Sequence, residues 1–438
     1  MTEVTVSSTK KSHALMAPPH GSSGDPVRGW RVAAILATLL LVSTMSQVDR
    51  MLPFILAEAI KAELLLSDTQ VGLINGIAFA LCYALLSLPL ARAADRGSPA
   101  RVLALCILGW SAMTALGGLA TSFLFLALTR FGVAFGEAGA NPAGHAIIAR
   151  KLGPKSRGLA IGLFAMGTPL GTMLGFAAGG AVSDMLGWRV TLIGAGVIGV
   201  PIMLMALVVV GATPPHILPN ETRSSFWRTS LFLLSSPGFR WVFIVAILGS
   251  FAAAPFYAFT APFLMRSHGL STSEAGLAFG LLQGLTGVAG MLLGGRLFDA
   301  AVGMGARRML RQPGIAFLIA SASMSAALFV PVSWLSILLL VPSMFAFAFM
   351  MPWGFGAAHL LAGRGNEAMA TSLVMIGSGL LGPAFGPLLV GVLSDAATAM
   401  KFENGIALGL LTVPVASLLT GLALFVGDRR VVSALRRY

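Results

Sequence analysis

The 438-residue chain is 56% hydrophobic and only 10% charged, with a formal net charge of +13. A soluble domain carries about 25% charged residues, so a water-soluble fold of this size is excluded for want of polar surface. The basic excess lies in short stretches beside apolar runs, which makes it a topology signal and leaves no nucleic-acid partner.

Residues 1–29 are rich in Ser, Thr, Pro, Gly and His without an apolar run, and read as a flexible cytoplasmic tail rather than a cleavable signal. A spanning helix needs about 20 mostly apolar residues. Twelve segments qualify: 31–57, 68–91, 100–120, 123–149, 157–181, 189–211, 240–266, 272–298, 308–330, 333–359, 367–393 and 404–427. The chain is therefore expected to be an all-α polytopic membrane protein. Two six-helix bundles at 30–211 and 240–428 flank a cytoplasmic linker, 212–239, whose Phe226–Arg240 stretch is amphipathic and suited to the membrane surface. A basic cytoplasmic tail closes the chain at 429–438. Cys82 and Cys106 fall inside apolar helices, outside any CxxC or Cys/His cluster, so they read as reduced packing residues with no metal or cofactor role.

Lys and Arg set the orientation. Twenty-three of them lie on the side of the two termini and the central linker, against Lys61, Arg189, Arg266 and Lys401 on the other. Both termini are then expected in the cytoplasm and the chain in the cell (inner) membrane.

An internal repeat supports two parallel halves. SDTQVGL from Ser67 is echoed by STSEAGL from Ser271, and ARAAD ending at Asp95 by GRLFD ending at Asp299, both at an offset of 204. Gly171, Gly175, Gly180, Ser183 and Asp184 match Gly382, Gly386, Gly391, Ser394 and Asp395 at an offset of 211. The fourfold spacing of Gly167, Gly171, Gly175 and Gly179, and of Gly276, Gly280 and Gly284, gives small faces that let helices approach closely.

ARAADRGSPAR, from Ala91 to Arg101, is placed in the loop between the second and third helices. It resembles the signature of the major facilitator superfamily, with Ala91 in place of the usual first Gly. The resemblance implies the major facilitator fold, with two pseudo-symmetric six-helix bundles. It also implies a cytoplasmic gate at Arg92, Asp95, Arg96 and Arg101, with Arg296 and Asp299 as counterparts. A carboxylate at a helix junction can pair with Arg and cap a helix N-terminus.

Four charges lie deep in apolar helices: Asp49, Arg50, Arg130 and Glu137. A charge at mid-bilayer costs at least about 2.5 kcal/mol, so such groups must pair, face the interior or line water, and function is the default reading. Arg130 and Glu137 are seven apart and share a helix face. The quartet is neutral when all four are ionised, and protonating one acid would leave a positive site favouring an anion or a rearrangement. Asn75, Phe79, Tyr83, Asn141, Tyr257 and Gln283 are candidate lining residues of a central cavity, the first three forming one stripe at spacing four.

Val48–Leu73, Leu88–Arg96, Leu108–Ala120, Arg130–Pro142 and Gly187–Arg189 resemble the spinster family, strongly in the first half and generically beyond the sixth helix. That likeness implies a bacterial homologue acting as a proton-coupled transporter of an amphipathic anionic lipid such as a lysophospholipid, or of the sphingosine-1-phosphate type. Protons would be the coupling ion, no other cofactor would be required, and the transporter would work by alternating access as a monomer. It places Asp49, Arg50, Arg130 and Glu137 at positions used for coupling and conformational switching. Ala134 and His145 depart from the family pattern. Two alternatives stand beside it: a proton symporter of small organic acids of the sugar-acid type, and a non-transporting membrane receptor or scaffold. Nothing in the sequence points to an enzyme.

Overall fold

The computed structural model describes residues 29–152, 157–211, 226–304, 309–363 and 366–435. The expected tail up to residue 28, residues 212–225 of the linker and residues 436–438 lie outside the described residues. Ten helical runs among the described residues are long and apolar enough to cross a membrane. One of them, Arg157–Val210, is 54 residues long and breaks at Gly187, where φ is +83°. Glycine alone adopts that conformation without strain, so this run supplies two crossings. The 17-residue helix Arg311–Ala327 completes twelve.

In chain order, α1 is Gly29–Ile55, and α2 is Asp68–Asn75 resumed after Gly76 as Ile77–Arg96. Helices α3 and α4 are Pro99–Gly117 and Phe123–Lys151, and α5 and α6 are the two parts of the run divided at Gly187. In the second half, α7 is Pro237–His268, α8 Thr272–Gly303, α9 Arg311–Ala327 and α10 Ser333–Ala362. Helix α11 runs as Glu367–Ile376, a π-turn at Gly377–Leu381, and Gly382–Ala399. Helix α12 comprises Gly405–Leu410 and Thr412–Leu435.

Several helix ends run five or more residues past the sequence-based expectation, that of α11 at Ala399 among them. Helix α2 continues to Arg96 and α3 starts at Pro99, so most of Ala91–Arg101 is helical and the turn is Gly97–Ser98. Hydropathy fades at Arg92, but a helix leaving the membrane keeps its hydrogen bonds until Gly97 ends it, with proline at the next N-terminus. Helix α8 persists to Gly303, and α12 persists to Leu435, inside the expected tail. The linker's amphipathic stretch folds as the short helix Phe226–Ser235, with Leu231 and Phe232 exposed, and Pro237 starts α7.

Helix α1 packs on α5, α2 on α4, and α3 on α4 and α6; in the second half α8 packs on α10, and α9 on α10 and α12. The halves meet through α2 against α11 and α5 against α8. Backbone contact there requires glycine. A Cβ on Gly72 would lie 2.5 Å from the Pro387 carbonyl oxygen, and one on Gly180 would lie 2.5 Å from that of Thr272. Gly391 against Asp68 and Gly276 against Phe176 are as close. Shifting α2 residues by 204 and α5 residues by 211 turns one contact into the other, so the sequence repeat encodes the seam between the halves.

Candidate functional site

The four intramembrane charges converge in the first half, where α1 crosses α4. Asp49, Arg130 and Glu137 are buried, and the Arg50 side chain keeps 28% of its surface against none for Glu137. Arg50 Nε and Nη2 donate to Glu137 Oε2 at 2.9 and 2.7 Å. Its guanidinium stands over Phe79 at 4.8 Å and Tyr83 at 5.1 Å. Arg130 approaches the same Phe79 ring at 5.3 Å, so one aromatic side chain serves two cations. The shared face foreseen for Arg130 and Glu137 holds, but the acid pairs with α1, not with its helix neighbour.

Arg130 Nη1 reaches the Asp49 backbone oxygen at 3.5 Å, not its carboxylate. Among the described residues the Asp49 carboxyl has no ion-pair or hydrogen-bond partner within bonding geometry; the Thr114 hydroxyl and Trp110 indole N–H are the polar groups facing it, and neither has another partner. Sequence reasoning missed both α3 residues as neighbours of the acid, although Trp110-Ser111-Ala112-Met113-Thr114 lay within a stretch it had singled out.

The expected lining residues divide. Phe79 and Tyr83 stack with centroids 5.8 Å apart, and Asn141 Nδ2 donates to the Tyr83 hydroxyl at 3.4 Å. Asn75 lies just before the kink at Gly76, across which the i→i−4 hydrogen bonds continue. It lines a cavity of about 20 Å³ within the first half, with Arg130, Thr114 and Thr129. In the second half, Gln283 Nε2 donates to the Tyr257 hydroxyl at 2.7 Å, and Tyr257 stands edge-on to Phe256 and Phe279. One half offers cations framed by aromatics, the other a phenylalanine-rich wall with one amide.

The residues expected to form a gate lie at the far end. Arg92, Arg96, Arg101, Arg296 and Asp299 are exposed, while the Asp95 side chain lies outside the described residues. Arg150 of α4 donates to the carbonyls of Ala94 and Gly97 at 3.1 Å, which ties the α2–α3 turn to its own half. A set of hydrogen bonds and ion pairs joins the halves at the opposite face, the one bearing Lys61 and Lys401. There Arg266 of α7 binds Glu58 and Asp68 at 2.6–2.7 Å, and Lys61 binds Asp68 at 2.5 Å. Sequence reasoning had used Arg266 and Lys61 only to count charge. On the same face Arg189 and the Trp188 indole N–H both donate to Glu63, and these bonds hold its carboxyl below the usual range. Cys82 and Cys106 are free and buried.

The sequence matches the Major Facilitator Superfamily over residues 38–387. An efflux pump of the same superfamily type from Mycolicibacterium smegmatis is 34% identical over 413 residues, covering 93% of this chain and 94% of that protein. A probable L-galactonate transporter from Escherichia coli is 25% identical over 411 residues, 88% of each. The crystal structure of a bacterial homologue of the human lysosomal transporter Spinster, inward-facing and unoccupied, superposes with a TM-score of 0.79 at 26% identity. That likeness covers 94% of this chain and 98% of the other.

Proposed function

The chain belongs to the Major Facilitator Superfamily, is spinster-like and is a transporter rather than an enzyme, and from that premise we propose that it couples protons to the movement of an amphipathic anionic lipid, lysophospholipid-like, by alternating access. The observation that carries this reading is Arg50: a cation inside the membrane, partly exposed, with its guanidinium over Phe79 and Tyr83. A headgroup anion would meet the guanidinium, and an acyl chain would lie along the phenylalanine-rich wall beside the half-buried Tyr257. Glu137 competes with the headgroup for Arg50. Protonating Glu137 releases the guanidinium, and an anion then replaces the carboxylate.

Asp49 supplies the second titrating group. Among the described residues its carboxyl has no ion partner within bonding distance, so its proton affinity follows hydration and the distance to Arg130, both of which change when the bundle opens to the other side. By linkage, a proton that binds one facing state more tightly biases the equilibrium toward it. Asp49→Asn with Glu137→Gln is expected to leave the facing equilibrium insensitive to pH.

The lysine and arginine asymmetry supports a placement in the inner membrane with both termini cytoplasmic. In that orientation the joined face is external. The working unit is a monomer. One second reading has a specific observation behind it: similarity to a probable L-galactonate transporter favours small sugar acids, which would use Arg50 without the phenylalanine wall. Family membership sets aside the receptor or scaffold reading. A binding screen on purified protein discriminates: lysophospholipids should bind and sugar acids should not, and Arg50→Gln should abolish binding. Saturable binding of sugar acids alone would replace the lipid reading.

A further inference from the structure

A helix leaves its first backbone N–H groups without partners. At the external ends of α2 and α8 a capping box disposes of two of them. Ser67 Oγ accepts from Gln70 N while the Gln70 side chain accepts from Ser67 N, and Ser271 and Glu274 do the same. The N–H groups of the two residues between remain, and each helix presents them to the other half. Asp395, at the end of α11, accepts from Asp68 N at 3.0 Å, Thr69 N at 2.8 Å and the Thr69 hydroxyl at 2.6 Å. Asp184, at the end of α5, accepts from Ser273 N at 2.7 Å. The partners are related by the offsets of the repeat, 211 for the carboxylates and 204 for the helix starts.

We propose that Asp184 and Asp395 are gate residues of the transport reaction: two crossed latches, each a carboxylate of one half seated on a helix N-terminus of the other, both of which release when the external face opens. The proposal rests on alternating access and not on the identity of the cargo. A bond between a carboxylate and backbone donors suits this task. It needs no partner side chain to find its rotamer, and it is modest enough to break in every cycle. The glycines beside it, Gly180 and Gly391, bring the backbones close enough for the carboxylates to reach.

The two latches are not equal. Position 68 is Asp where the second repeat has Thr272, so the first latch places two carboxylates side by side. Arg266 and Lys61 both bind Asp68, and the Ser394 hydroxyl donates to it at 2.6 Å. The second latch has serine and threonine neighbours, which makes Asp184 the cleaner probe.

The test uses the full chain with Cys82 and Cys106 replaced. Spin-label pairs sit at Leu65 and Met400 on the external face, and at Leu159 and Met304 on the other; all four residues are well exposed. Asp184→Asn and Asp395→Asn should each shift the facing equilibrium roughly two- to fivefold toward external opening, and their effects should multiply in the double variant. The external distance should widen while the other narrows, with the melting temperature little changed. A widened external face without a narrowed opposite face, or a lowered melting temperature with unchanged distances, would mean that the carboxylates merely cap helices, and would overturn the proposal. If the double variant fails to fold, the single Asp184→Asn variant decides by the same two distances. A sugar-acid cargo would refute the lipid reading and leave this result standing.

Discussion

Removing either partner of the Arg50–Glu137 pair is expected to have unequal consequences. Breaking a buried pair by deleting one partner costs about 3–5 kcal/mol, because the other charge is left uncompensated. Arg50→Gln strands Glu137, whose side chain has no exposed surface, so it belongs at about 3–5 kcal/mol. Glu137→Gln strands a guanidinium that keeps 28% of its surface and stands over two rings at 4.8 and 5.1 Å. Each such cation–π contact is worth about 0.5–1 kcal/mol, and with water access the loss should be only about 1–2 kcal/mol. Thermal unfolding of purified single and double variants measures this. The Arg50 variant should melt several degrees below the Glu137 variant, and the double variant should be less destabilised than the sum. A Glu137→Gln variant that melts lower than Arg50→Gln, or strict additivity, would refute the assignment of the pair as a buried, coupled unit.

Three further outcomes follow from the same geometry. Phe79→Leu keeps apolar bulk but removes the ring shared by Arg50 and Arg130, and should cost about 1–2 kcal/mol in thermal unfolding while weakening lysophospholipid binding. Gly72→Ala places a methyl 2.5 Å from the Pro387 carbonyl oxygen, so the seam must part; spin-label distances should show the external face widening. Glu63 is held below the ordinary carboxylate range by Arg189 and Trp188. Its contribution to stability is therefore present above the unfolded carboxylate's pKa and lost as pH falls through the folded one, and Glu63→Gln should flatten the acid limb of a melting-temperature profile.

The architecture was legible because it rests on signals that tertiary context does not override. Apolar length gives the crossings, and the repeated Gly and Asp positions give the two halves. Helix ends were less legible: a helix that leaves the bilayer continues on hydrogen bonds that hydropathy does not register, as at Arg96 and Leu435. The charge quartet could be found because a charge in an apolar run has few structural excuses. Its pairing could not, since Arg130 and Glu137 share a face yet Glu137 bonds to Arg50 across 87 residues of sequence. Asp184 and Asp395 were visible as a repeat but silent as to role, because their shared partners are backbone N–H groups at helix starts, which a sequence does not display.

Flux into proteoliposomes under an imposed pH gradient tests the central claim most directly. Lysophospholipid movement should follow the sign of the gradient, collapse when a protonophore dissipates it, and lose its pH dependence in the Asp49→Asn, Glu137→Gln double variant. Lysophospholipid flux indifferent to the gradient, or gradient-driven flux of a sugar acid with none of the lipid, would contradict it.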